Sequence, residues 1–250
     1  MIPLPDSTTP VGQRDIANLT FYSFTFNAKA PILRFESTLL VPAASPDTSV
    51  KGNVQAIWPG LQTDTLLQNV LTNQGDGPHQ WGQLPFACCG PALNLIDGGI
   101  QVYPGDSLTN IYIWDIPSNK WLDNWALTPG PEGAKAGEKA FHGGLTFDQG
   151  AAFKPDAKKL SPGPYNTAVL AIELQGLGTW DFGPVHWRNI VIEANTTATE
   201  WCSTLVSSGN LAWEASMPRV NTEGTVTTCY IASFIFKAPV KKARRQLRLV

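Results

Sequence analysis

Charge is the scarcest commodity in this 250-residue chain, where only 15% of residues are Asp, Glu, Lys or Arg and the net charge is −2. Nucleic-acid binding by counterion release needs a clustered basic surface, which such a balance does not supply. Apolar runs stay well short of the roughly 18 residues that span a bilayer. Histidines are few and scattered (His79, His142, His186), with no His-x-His or His-x-x-x-His pair, and no Cys-x-x-Cys occurs. No metal site is therefore expected. The Gly-x-Ser-x-Gly elbow, the P-loop and the dinucleotide fingerprint are also missing, so no cofactor is expected either.

What the chain has in quantity is turn formers and aromatics: 22 Gly, 20 Pro, 9 Trp, 11 Phe and 5 Tyr. A hydrophobic content of 43% excludes disorder and supports a substantial core. Short runs rich in β-branched and aromatic residues recur at Leu19–Phe26, Leu33–Val41, Val54–Trp58, Ile111–Trp114, Ala168–Leu174, Asn189–Ala194 and Cys229–Phe236. Each is bounded by Gly, Pro, Asn or Asp, as strands of a sandwich or barrel are. Leu66–Leu71 fits either a strand or a helical turn, and Thr128–Gly150 and Ala151–Pro164 read as irregular loops. Residues 1–240 are expected to form one β-sandwich domain, followed by a basic tail over 241–250. Two sequons, at Asn18 and Asn195, and an even set of cysteines (Cys88, Cys89, Cys202, Cys229) fit a glycosylated, disulfide-bonded secretory protein whose signal is absent from this chain. The pairing of the cysteines stays open.

An ordered series of motifs narrows the fold. Ile57-Trp-Pro-Gly-Leu-Gln62, Leu67-Gln-Asn-Val-Leu71, Cys89-Gly-Pro-Ala-Leu93, Val102-Tyr-Pro-Gly-Asp106 and Asn166-Thr-Ala-Val-Leu-Ala-Ile-Glu173 follow one another. The series resembles fungal secreted proteins with a WPGLQ, VLQ, GGPAM, PGD, ALFEIE progression. The resemblance spans roughly residues 20–175 and implies an all-β, concanavalin-like (jelly-roll) sandwich of two antiparallel sheets with long loops. More distantly the series resembles the fungal glutamic peptidases, which use a Gln–Glu pair. Their Gln corresponds to Gln68, and their catalytic Glu falls on Val169, while Glu173 matches a second carboxylate. A valine transfers no proton, so the resemblance implies that peptidase chemistry is lost. Strand alternation then places 169, 171 and 173 on one face, with Leu170, Ile172 and Leu174 in the core.

Gly178–Asn189 gathers two Trp, a Phe, a His and an Arg. Alternation predicts His186, Arg188 and Ile190 on one face, with Trp187 and Asn189 on the other. An Arg beside a His among aromatics suits a planar, oxygen-rich ligand. Non-peptidase members of the sandwich group are similar to the hetero-Diels–Alderases of tropolonic sesquiterpenoid pathways. That resemblance implies a cofactor-independent [4+2] cyclase joining a tropolone ortho-quinone methide to an apolar humulene-type terpene. Arg188 and His186 are the candidate polarising groups, Glu173 and Gln68 their hydrogen-bonding partners, and Trp58, Trp81, Tyr112, Trp114 and Trp180 the candidate walls. A carbohydrate-binding lectin and a glutamic-peptidase-like hydrolase are the alternatives. Among partners, small molecules are expected, nucleic acid and a membrane span are not, and a homodimer is the default assembly.

Overall fold

The computed structural model describes residues 18–43, 53–63, 65–73, 80–88, 94–95, 99–148 and 165–239. Sixteen strands in these residues form two antiparallel sheets. The first sheet contains β1 (Leu19–Asn27), β3 (Val54–Gln62), β4 (Leu66–Thr72), β5 (Trp81–Cys88), β6 (Asn94–Leu95), β7 (Ile100–Val102), β11 (Thr167–Gln175) and β13 (Val206–Ser208). Its order is β13-β1-β11-β3-β4-β5-β6, with β7 also on β5. The second contains β2 (Ile32–Leu40), β8 (Ser107–Asp115), β9 (Lys120–Thr128), β10 (Phe141–Asp148), β12 (Val185–Ala194), β14 (Ala212–Ala215), β15 (Arg219–Glu223) and β16 (Val226–Lys237). There the order is β10-β9-β8-β2-β12-β16-β14, with β15 also on β16.

Six of the seven short runs lie within strands and the seventh, Leu33–Val41, overruns β2 by one residue; the ambiguous Leu66–Leu71 is strand β4. Every residue of β4 is buried. A strand covered on both faces loses its alternation and reads as a continuous apolar run. Thr128–Gly150 departs from the expected loop, since it holds helix α1 (Pro131–Lys135) and edge strand β10. Two glycines hide that strand in the sequence. A Cβ at Gly143 would fall 2.5 Å from the Trp125 ring, so the missing side chain is what lets the indole lie on the edge backbone. Ala151–Pro164, the basic tail, His79 and Cys89 lie outside the described residues.

The core between the sheets has two halves. Around β1, β12 and β16 it is aromatic: Phe24 meets Phe234 edge-on at 4.7 Å between centroids and Trp213 at 5.0 Å. Trp187 and Phe236 pack behind them, both fully buried. Buried Cys202 and Cys229 are disulfide-bonded, tying a 3-10 turn at Glu200–Cys202 to β16. This bond fits an oxidising compartment. Around β4, β5, β8 and β9 the same layer is polar, with Asn69, Gln83, Asn110 and Asp123 all buried. Pro59 in central strand β3 lacks an N–H for its ladder, and its carbonyl instead accepts the Tyr112 hydroxyl at 3.0 Å. No described helix is long and apolar enough to cross a membrane.

Candidate functional site

The register of the first sheet determines which side chains share its outer face. Val169 pairs with Gly60 and Gly60 with Gln68, so these three form one rung across β11, β3 and β4. Two strand spacings put positions 169 and 68 about 10 Å apart. The next rung carries Ala171 and Trp58, and the one beyond it Glu173 and Ala56. The expected phase of β11 is what the structure shows. Leu170, Ile172 and Leu174 belong to the main core, while Val169 and Ala171 join a separate apolar cluster with Ala56, Trp58, Leu66 and Val70.

This second cluster, termed the trough below, is buried, with no member more than 8% exposed, and has polar groups near both ends. At one end, the Trp58 indole N–H donates to Glu173 Oε2 at 3.2 Å, and Gln175 Nε2 donates to Glu173 Oε1 at 2.6 Å. Both carboxylate oxygens are thereby engaged, and the carboxylate fixes the indole ring. At the other end, roughly 16 Å away by strand geometry, Gln68 is buried with its Oε1 unpartnered. An orphaned buried amide oxygen costs about 1–3 kcal/mol, which makes it a ready acceptor for a hydrogen-bond donor. Gly60 lies between Gln68 and Val169 on that rung, and Leu66 Cδ1 packs over it, 3.1 Å from where a Cβ would stand.

The four candidate polar residues do not converge. Gln68 and Glu173 share the trough, whereas His186 and Arg188 lie on the outer face of the second sheet, across the sandwich. Arg188 is exposed and pairs in register with Thr38 and Ser233. Ile190 is also a correction: it is fully buried with Trp187 rather than beside Arg188. The reason is Asn189, whose φ of +50° places it in the left-handed region and interrupts the alternation of β12. Asn189 is exposed, not opposite Arg188 in the core.

Of the five candidate walls, only Trp58 lies on the trough. Trp81 is in the main core and donates to the Ala43 carbonyl at 3.1 Å. Trp180 donates to the Gly183 carbonyl at 2.6 Å and stacks on Phe182. Tyr112 stacks on Phe35, and Trp114 on Trp121 at 6.3 Å, both from the core side of β8. Asn18 and Asn195, the two sequon asparagines, are exposed. Gln175 has no mark of function in the sequence, and Gly60 and Val70 stand there only inside longer motifs; strand register brings them to Trp58 and Gln68. Among the described residues, no group of three or more His, Cys, Asp or Glu could hold a metal ion.

The class that emerges is a glutamic-peptidase-like β-sandwich. The solved structure of scytalido-glutamic peptidase with a transition state analog inhibitor matches with a TM-score of 0.50 at 11% identity, covering 85% of this chain and 98% of that one. SCP-B, a member of the Eqolisin family of peptidases in a complex with the tripeptide Ala-Ile-His, matches with a TM-score of 0.47 at 11% identity and the same coverage. At that identity the first likeness is one of fold alone. By sequence, no family model and no curated protein matches the chain.

Proposed function

We propose that this protein is a secreted, cofactor-independent enzyme that works by confining apolar reactants in the trough, and that its reaction is a [4+2] addition of the hetero-Diels–Alderase kind. The observation that carries the reading is Val169. Where the resembled peptidases place the water-activating Glu, this chain has a buried valine in a floor of Ala, Leu, Val and Trp. Such a surface performs no proton transfer. It holds two apolar partners in contact, and effective molarity alone contributes up to roughly 7–11 kcal/mol to such a reaction.

Polar assistance in this reading comes from two points. The Gln68 amide sits where an oxygen-bearing ring would meet it, its Oε1 accepting from a hydroxyl. Glu173, anchored by Gln175, keeps the Trp58 ring fixed so that the apolar reactant meets a rigid wall. The substrates on this reading are a tropolone-type ortho-quinone methide and a macrocyclic alkene. Arg188 and His186 face away and take no part.

The test is turnover by variants with unaltered melting temperature. Trp58→Ala is expected to lower kcat/KM for cycloadduct formation at least tenfold, and Arg188→Ala to leave it unchanged. Loss of turnover in Arg188→Ala with none in Trp58→Ala would move the site to the second sheet and overturn the reading.

A further inference from the structure

The polar half of the core carries a second feature, unrelated to the trough. Two hydrogen bonds bridge the sheets side by side: Asn69 Nδ2 donates to Asp123 Oδ1 at 2.8 Å, and Gln83 Nε2 donates to Asn110 Oδ1 at 3.0 Å. Each bridge leaves acceptors over. Asn69 Oδ1, Asp123 Oδ2 and Gln83 Oε1 have no partner, and all three residues are at most 2% exposed. The indole N–H groups of Trp114 and Trp121 are also unpartnered. Strand register makes these groups neighbours. Asp123 lies opposite Tyr112 on β8, and Trp121 lies opposite Trp114 one rung away on the same face. Tyr165 meets Trp121 edge-on at 5.1 Å.

Three orphaned oxygens and two orphaned N–H groups in one neighbourhood are far from ordinary packing, where buried polar atoms find partners. Apolar residues at these positions would seal the layer at no such cost. The five atoms make almost no contact with solvent, so bulk water does not satisfy them. The geometry points to an interior binding site between the sheets, centred on Asn69, Gln83 and Asp123 and flanked by Trp114 and Trp121, for a flat ring bearing two or more hydroxyl groups. Hydroxyls supply the donors that three free oxygens lack, their oxygens accept from the indoles, and aromatic walls suit a planar guest. At the β10 edge the inward-phase side chain of Phe141 is 41% exposed and Leu145 is half-buried, while the Trp125 indole fills the space over Gly143.

Binding is tested with resorcinol on the full chain at pH 8, where the Asp123 carboxyl is ionised and accepts through both oxygens, by calorimetry and by a crystal structure of the complex. Saturable one-site binding is expected, with toluene, which lacks donors, at least tenfold weaker. Asn69→Leu and Gln83→Leu are each expected to weaken resorcinol at least tenfold; two variants guard against one failing to fold. The crystal should show hydroxyl oxygens within hydrogen-bond distance of Asn69 Oδ1 or Asp123 Oδ2. Ordered water alone among these side chains, a ring bound only on an outer face, or equal affinity for resorcinol and toluene would each overturn the inference. None of these results bears on turnover in the Trp58→Ala test, so the two proposals stand or fall separately.

Discussion

Asp123→Asn is expected to remove most of the pH dependence of folding between pH 4 and pH 8. Burial between the sheets raises the Asp123 carboxyl from 3.8 to about 7, and the one hydrogen bond from Asn69 only partly offsets it. A carboxyl raised in the folded state binds its proton more tightly there than in the unfolded chain. Its contribution is therefore complete below about pH 4 and disappears as pH rises through about 7. A displacement of about three pH units corresponds to about 4 kcal/mol. Tyr112 and Tyr165 face the same carboxyl and are themselves raised, chiefly by burial, so neither supplies a compensating charge. Urea unfolding of the native protein should show stability falling steadily from pH 4 to pH 7.5. The asparagine variant should be nearly flat, and more stable than the native protein at pH 8. Glu138 shifts the same way, to about 7, through burial and its contact with Asp106. It is only partly buried, against the complete burial of Asp123, so Glu138→Gln should change the profile by less. An undiminished pH slope in Asp123→Asn would show that the carboxyl is ionised inside the fold.

Loss of the Cys202–Cys229 bond is expected to cost about 3–4 kcal/mol, the chain-entropy value for a loop closed over a 27-residue separation. Both cysteines are fully buried, and Cys229 lies on β16 between Val220 of β15 and Ile192 of β12. Removing the bond therefore frees the turn that packs against β1 as well as loosening β16, the pairing partner of β12, β14 and β15. Replacing both cysteines with alanine should lower the urea midpoint without changing the slope. A loss under 1 kcal/mol would show that the unfolded chain is already held compact there.

Much of the fold was readable because strand formation here is local. Ala168–Ile172 is a continuous apolar run covered on both faces, as a central strand reads, and the side-chain period of two sets the phase of Leu170, Ile172 and Leu174. Register was not readable, since Gly60 pairs with Gln68 in its own hairpin and also with Val169, about a hundred positions further on. That is why Gln68 and Glu173 are recognisable singly while their alignment with Gly60, Val70 and Gln175 is not. Arg188 and His186 failed as partners of Gln68 for the same reason: nothing in one strand says which sheet it joins. The left-handed Asn189 defeated the alternation of β12, because one residue out of phase moves Ile190 to the other face. Trp count suggested a pocket, yet Trp81 and Trp180 spend their N–H groups on backbone carbonyls within the core.

Assaying the native protein for two reactions tests the central claim most directly. It would be incubated with an ortho-quinone methide precursor plus a macrocyclic alkene, and separately with a peptide substrate at acid pH. Confinement over the Val169 floor predicts cycloadduct formed well above the uncatalysed rate and an intact peptide. Peptide cleavage that disappears in Gln68→Ala, with no acceleration of the cycloaddition, would contradict it.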